Sequence, residues 1–389
     1  MSEHSHVMGG SNAKRRIMCP GSRELEQEAP SEGAISEYAL RGLMLHAAMQ
    51  LLITADPADM QAADPLLAEL VGQDFKFQHI LTTELVEEKL RPALAAWFQV
   101  RDAYELKDWI IEERVSLESI LPGAYGYSDL LAIDVRKALH TFDWKFGDGV
   151  FVYAKENYAL GFYAAGALYD EDPEMQELFE PVENDVYLHI VQPAIGRSQV
   201  LDTWKTDIAW INGLVDLIEA TAGQTHLKAG DWCQFCKAAS FCPALAAFVG
   251  SAVAQSPQAM GAMQLSQALG MIDTLDVWIA AVKKLALDEM QAGAAIPGYK
   301  LVSKQPRRIW SDPVAAEKIL RKKHKVGQIF KRELISPTQA EKLNKSLYKS
   351  KLADIVAMHS SGTTIVPDDD RRQSLSGATE LLAAALPKL

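Results

Sequence analysis

The apolar positions along this chain change period several times, and the changes mark its elements. From Glu37, residues Ala39, Leu43, Leu45, His46 and Leu52 are mostly apolar at helical spacing, and Ser36 is placed to cap the first turn. Residues 57–118 read as several more helices, with strong periodicity over Thr82–Val100 and Asp102–Leu117. The period then drops to two: Tyr125–Ile133 predicts a strand, Asp134–Lys137 a turn, and Leu139–Phe146 an antiparallel partner. A helix over 155–169, a strand over Val186–Gln192 and a helix over 197–221 follow. Residues 19–33 carry turn formers and predict a loop; a Gly230-Asp-Trp-Cys turn opens a cysteine-bearing segment, 230–243. An Ala/Gln/Met-rich stretch over 244–263 reads as a linker between two domains. Helices to about 291, a basic hairpin or strand pair over Tyr299–Trp310 and Lys-rich helices to about 358 come next, before a tail, 361–389, much of it expected to lack order.

Composition fits a globular chain of two domains: 389 residues, 48% hydrophobic and 23% charged. No apolar run approaches a bilayer-spanning length, and the first 18 residues are polar, so the expected compartment is the cytoplasm and no membrane partner is expected. A net charge of −12 argues against a simple DNA-coating protein, but the charge is uneven. Residues 299–351 hold 15 Lys/Arg against 4 Asp/Glu, whereas residues 1–298 hold 21 against 42. A basic module attached to an acidic body is the reading this gives. Within it Lys300, Lys304, Arg307, Arg308, Arg321, Lys322 and Lys323 gather near Tyr299 and Trp310, a mixture that can track phosphates and stack on unpaired bases. A solvated helix face, or a surface for oligomerisation or a partner, would look the same.

The hairpin carries the candidate chemistry. Asp143 and Lys145 are two apart and share a face of their strand, and Asp129 can lie beside them on the preceding one. Two adjacent carboxylates repel unless a divalent cation lies between them; Mg²⁺ or Mn²⁺ takes such hard oxygen ligands and activates water against a phosphodiester. A nearby lysine can orient that water or stabilise charge on the phosphate. Two surface carboxylates with a salt-bridging lysine are the bland alternative, as a satisfied core residue is for the mid-helix His46. The four cysteines, Cys19, Cys233, Cys236 and Cys242, suit metal ligands or free thiols better than disulfides in a reducing compartment, and as ligands four thiolates fit either zinc or a [4Fe–4S] cluster.

Taken in order, Cys19-Pro-Gly-Ser, Ser36-Glu-Tyr-Ala-Leu-Arg-Gly-x-x-x-His46, Gly126-x-x-Asp129, Asp143-x-Lys145 and Cys233-x-x-Cys236-x5-Cys242-Pro resemble the motifs of the RecB-like branch of the PD-(D/E)XK nucleases. The resemblance covers about residues 15–245. It is to the iron–sulfur subgroup, which includes CRISPR-associated RecB-like exonucleases and related phage-encoded proteins. It implies an α/β fold, a restriction-endonuclease-like core with a mixed central sheet flanked by helices, here with a helical insertion. A mainly helical module over 260–360 would follow. It further implies Mg²⁺ or Mn²⁺ held by His46, Asp129 and Asp143, Lys145 as catalytic lysine, Tyr163 as the tyrosine of the following helix, and a [4Fe–4S] cluster on the four cysteines. The implied activity is cleavage of DNA, exonucleolytic more than endonucleolytic, on single strands or duplex ends, in recombination, repair or phage replication. A recombination or single-strand-binding protein is the implied kind of partner, and an oligomer is left open. Two positions depart from the family pattern: Ala159 stands where a glutamine is expected, and Gln50 where an acidic residue often follows the histidine. They favour the alternative of a catalytically weak DNA-binding protein that retains the fold.

Overall fold

The structure is a computed structural model that describes residues 5–29, 37–73, 75, 80–147, 151–193, 199–253, 262–303, 307–329, 336–359 and 363–367. The chain divides into two compact units, Met1–Leu275 and Asp276–Leu389.

The first unit is a mixed α/β fold on a five-stranded sheet of order β1-β2-β3-β4-β5, formed by Leu106–Ser116, Tyr125–Asp134, Leu139–Trp144, Asp185–Val191 and Leu201–Asp207. All neighbours are antiparallel except β3 and β4, which run parallel. A parallel pair needs a crossover, supplied here by helices Tyr158–Tyr169 and Pro173–Phe179. Before the sheet come helices Ala13–Met18 (α1), Ser22–Gln27 (α2), Glu37–Thr54 (α3) and Met60–Leu70 (α4), then a short turn Thr83–Leu85 (α5) that passes through a π-helical turn, Val86–Leu90, into Arg91–Tyr104 (α6). The crossover helices are α7 and α8; α9 is Ile208–Glu219, α10 Pro243–Val253 and α11 Ala262–Gln291.

The central strands bury both faces. Leu130, Ala132, Phe142 and Trp144 join Met44, Leu45, Trp97 and Phe98 in one apolar cluster. Leu131, Leu139, Leu188 and Ile190 join Phe162, Ile211 and Leu214 in the other. The expected strands at 125–133, 139–146 and 186–192 and the helix over 155–169 are therefore in place. Two expected helices are in part strands. Residues 106–116 form β1, at the sheet edge; a register shift between Leu106 and Asp108, and a left-handed Glu112 (φ 52°), break its alternation. Trp109 and Ile110 lie three and four residues after Leu106, and Val115 four after Ile111, which mimics helical spacing, although Trp109 and Ile111 pack on one cluster and Ile110 and Val115 on the other. Residues 201–207 form the opposite edge, β5, whose polar residues hide its strand character as edge strands often do. The expected loop over 19–33 contains α2, and α10 occupies part of the expected linker. Ser36 lies outside the described residues.

A polar stack crosses the first cluster. His140 Nδ1 lies 3.0 Å from His189 Nε2, and His189 Nδ1 2.9 Å from Thr203 Oγ1. Both imidazoles are fully buried, which lowers the His140 pKa to about 4, against the pull of Asp134, and holds His189 well below its ordinary value.

In the second unit, β6 (Tyr299–Ser303) pairs with β9 (Thr363–Pro367) and β7 (Arg307–Trp310) with β8 (Val356–His359), in one continuous antiparallel register. Tyr299–Trp310 is thus not a hairpin closed on itself: its partners are 356–359, expected as helix, and 363–367, expected as tail. Residues 368–389 lie outside the described set. Between the strands lie helices Pro313–Leu320, Val326–Ile329, Pro337–Leu343 and Lys345–Leu347. Ala316, Leu320, Ile329, Ala340, Leu347 and Leu352 form their core.

Two predictions follow from these packings. Phe142→Ala, which empties a fully buried ring site, should cost about 3–5 kcal/mol in urea unfolding. For the histidine stack, the unfolded imidazoles take up protons near pH 6.5 and the folded His140 only near pH 4. Stability should therefore be full above 6.5 and fall as pH drops toward 4. Thermal melts across that range should show the fall, and a His140→Phe/His189→Phe variant should flatten it; equal slopes would refute the assignment.

Candidate metal centre

The sheet register builds the site. Ile111 pairs with Leu130 and Glu113 with Ser128, so Glu112 stands opposite Asp129. Leu130 pairs with Phe142, so Asp143 is next on the same rung. Three carboxylates from adjacent strands thus line up. Helix α3 brings His46 against them: its Nδ1 lies 3.3 Å from Asp129 Oδ1 and 3.6 Å from Glu112 Oε1. The ring is held edge-on to Phe146, with centroids 5.4 Å apart. The other Asp129 oxygen accepts the Trp144 N–H at 2.6 Å. Lys145 donates to Asp143 at 2.8 Å, and its own backbone N–H is fixed to Val191 O at 2.9 Å. Tyr163 approaches from α7: burial raises its phenol pKa, and the charges of Asp143, Asp129 and Glu112 raise it further.

The electrostatics follow from crowding. Burial opposes charge on His46, but Asp129 and Glu112 overcome it and hold the imidazole pKa at about 10. Burial opposes charge on Asp129 as well, and His46, Lys145 and the Trp144 N–H keep its pKa below the usual value. Asp143 is pushed up by burial; Lys145 pulls it down and Asp129 pushes it further up. The burial of Lys145 is outweighed by Asp143 and Asp129, so its pKa rises.

The residues fit a cation. One ligand atom from each of His46, Glu112 and Asp129 lies within 4.8 Å of the others. Glu112 Oε1 is buried without a hydrogen bond. A carboxylate and imidazole set with a left-handed residue at its centre is a costly arrangement that a cation would relieve. Sequence reasoning proposed His46, Asp129 and Asp143 and missed Glu112. The structure brings all six residues into one neighbourhood, but Asp143 stands outside the close triad, paired to Lys145. The signal for Glu112 was hidden by reading its strand as a helix.

The cysteines lie around the start of α2. None is in a disulfide. A Cβ on Gly21 would fall 2.1 Å from Thr225 O, so the Cys-Pro-Gly turn lets the downstream chain approach closely. There Gly21 N–H donates to His226 O at 3.0 Å, and Lys228 N–H to Cys19 Sγ at 3.2 Å. Burial raises the Cys19 and Cys233 thiols, and each is raised further by Cys242. Burial, with Glu26 beside it, pushes Cys236 up to about 12. Among the described residues no three sulfurs lie within 4.8 Å of one another.

The basic residues of the second unit divide. Arg321, Lys322 and Lys323 are exposed, with Arg321 paired to Glu317. Arg308 is taken up by its own unit, bonded to Glu341 at 2.6 Å, Tyr348 at 3.0 Å and Thr338 at 3.1 Å, and so is not part of an open basic face. Lys300 lies on β6; Lys304 lies outside the described residues, as does the side chain of Arg307.

Fold and site together define a mixed α/β protein with a His–Glu–Asp triad that could hold a metal ion, Glu112 and Asp129 on the central sheet and His46 on α3. The chain belongs to the family described as "Protein of unknown function (DUF2800)", whose model matches residues 4–373. A solved structure titled "Crystal structure of SSO0001" is 14% identical, over 59% of this chain and 96% of that one, with a TM-score of 0.22. Among the described residues no helix is long and apolar enough to cross a membrane.

Binding of Mn²⁺ should displace the His46 proton, because that proton stays bound up to about pH 10 in the free site. Calorimetry in buffers of different ionisation enthalpy should show proton release at pH 7, and Glu112→Gln should weaken binding by roughly tenfold or more. Undiminished affinity in that variant would remove Glu112 from the ligand set.

Proposed function

We propose that this protein is a Mg²⁺- or Mn²⁺-dependent DNA nuclease of the RecB-like PD-(D/E)XK kind, acting as an exonuclease. The observation that supports this most is the single rung of Glu112, Asp129 and Asp143, with His46 on one side and Lys145 on the other. A bound divalent cation would supply Lewis-acid activation of water and of a phosphate oxygen. The chain's own groups do the rest. Asp143 holds the Lys145 ammonium by two contacts of 2.7–2.8 Å, so the lysine is charged and aimed at the rung. From there it can donate to a phosphate oxygen as negative charge grows. Tyr163, kept protonated beside the carboxylates, is a hydrogen-bond donor at neutral pH.

For the cysteines we propose a [4Fe–4S] cluster. Four thiolates also fit a tetrahedral zinc site, and the choice of iron–sulfur rests on the resemblance of the cysteine spacing to the iron–sulfur subgroup. In this reading exposed Lys322 and Lys323 assist by holding the DNA backbone. A second reading, a DNA-binding or recombination-partner protein with little turnover, is favoured by Ala159. The preceding Asn157 does not replace the missing glutamine, because its side chain caps α7 by accepting the Ala159 and Leu160 N–H groups.

Labelled single- and double-stranded DNA incubated with Mg²⁺ or Mn²⁺ should be degraded. Asp143→Ala and Lys145→Ala should each lower the rate by about 100-fold or more. Equal rates in wild type and both variants would leave only the binding reading.

A further inference from the structure

Helix α1 lies between the cysteine loop and the segment that meets Tyr163. Upstream of it, the chain lies along the strand that carries Asp129: Met8 bridges Ala124, and Tyr125 N–H donates to Met8 O at 3.0 Å. The tip of the Tyr163 ring rests on the next residues. A Cβ on Gly10 would fall 2.3 Å from its Cζ and 2.5 Å from its hydroxyl oxygen. Gly126 closes in on the same edge, where a Cβ would lie 3.0 Å from Cε1 and 3.3 Å from the Gly10 nitrogen. The ring edge rests on two adjacent glycine backbones, one of which is carried by the segment that leads into α1.

The other end of α1 runs straight into Cys19. Its side chains grip the cysteine loop as well. Lys14 pairs with Asp231, two residues before Cys233. Arg15 and Arg16 pair with Glu26 at 3.2 and 2.8 Å, and Glu26 Oε1 accepts the N–H of Lys237, beside Cys236, at 2.9 Å. The side chains of Arg15, Arg16 and Glu26 are almost wholly buried, so this network is part of the cysteine site's inner support. A helix of six residues, about 9 Å long, does not persist in water by itself. Its position depends on what it packs against: the second apolar cluster takes Ala13 and Ile17, and the cysteine loop takes its charged side chains and its far end.

We infer that α1 is a mechanical link through which the four-cysteine site sets the position of Tyr163. With the cysteines drawn together on a metal centre, α1 and the Gly9-Gly10 turn are pressed against the ring. With the cysteines released, that contact loosens and the hydroxyl leaves its place beside the carboxylates. Gly10 is then a positioning residue. The inference rests on the reading of the cysteines as metal ligands and of Tyr163 as part of the nuclease site.

Hydrogen exchange on the full-length protein tests the link without using catalysis. The protein as purified anaerobically is compared with the same protein after its cysteine-bound metal is removed by a chelator. Exchange should quicken over 8–18 and 158–163 and stay unchanged over 185–191. Gly10→Ala should leave the bound-iron content and Mn²⁺ affinity as they are and lower turnover about 10–100-fold at constant KM. Cys233→Ser should add little to that loss, because both changes act through one ring. Unchanged exchange over 158–163 on metal removal, wild-type turnover in Gly10→Ala, or protein isolated with no metal on its cysteines would each overturn the link. Wild-type protein that cleaves no DNA would sink the nuclease reading, and the exchange result would then decide the link by itself.

Discussion

Three carboxylates on one rung of a sheet are a problem of electrostatics before they are a candidate for catalysis. Residues opposite each other on neighbouring strands have Cα atoms about 4.5–5.5 Å apart. At such distances, and an effective dielectric near 20, two like charges repel by about 3–4 kcal/mol. That is a large share of the 5–15 kcal/mol by which a domain is stable. Glu112, Asp129 and Asp143 can share a rung only if positive charge is brought to them. Much of the first unit's architecture does this. Helix α3 sets His46 against Asp129 and Glu112, the residue after β3 supplies Lys145, and a backbone N–H takes the remaining Asp129 oxygen. His46 and Lys145 keep their protons as a consequence, with pKa values held above their ordinary ones.

The same constraint explains the irregular edge strand. An L-residue with φ near +50° inside a strand is strained by about 1–3 kcal/mol. Glu112 accepts that strain, and its carboxylate thereby joins the same close set as Asp129 and His46. The turn of the backbone also changes the face of the odd-numbered positions of β1, from that of Trp109 and Ile111 to that of Val115. Strain, site and packing are one feature at this residue. This is also why the sequence concealed it. Where strands are buried on both faces and regular, as at Leu130–Ile133 and Leu139–Trp144, the apolar run and its turn were legible, and with them Asp129, Asp143 and Lys145. Where a strand is an edge and its alternation is broken, as at Leu106–Ser116, the apolar positions fall three and four apart and imitate a helix. Glu112 was lost with its strand.

The second unit shows a different limit. Its local propensities marked Tyr299–Trp310 as a hairpin or strand pair, but not the partners more than 40 residues later, because pairing over that distance leaves no local pattern. A charge count is limited in a similar way. It weighs Arg308 and Lys322 alike, although one is bound within its own unit by a carboxylate, a phenol and a hydroxyl and the other is exposed. Only the exposed subset can release counterions from DNA, so the net surplus of the segment overstates the electrostatic attraction it can exert.

The cysteine site invites an entropic explanation, since Cys19 and Cys233 are 214 positions apart. The magnitudes argue otherwise. Closure entropy grows as (3/2)RT ln n, so closing this loop rather than one of 20 residues changes the ledger by only about 2 kcal/mol. The sheet and the two apolar clusters already fix most of the intervening chain, which leaves still less entropy for a metal centre to remove. What the cysteines can uniquely hold is local. It comprises a six-residue helix too short to be stable by itself, the Gly21 turn that lets residues 225–228 pass at backbone contact, and the Gly9-Gly10 segment against Tyr163. Met8, Ala13 and Ile17 tie these pieces to the second apolar cluster, and ionic and backbone bonds tie them to one another. A centre placed among them acts on that second set of bonds, one short helix away from the segment that meets Tyr163.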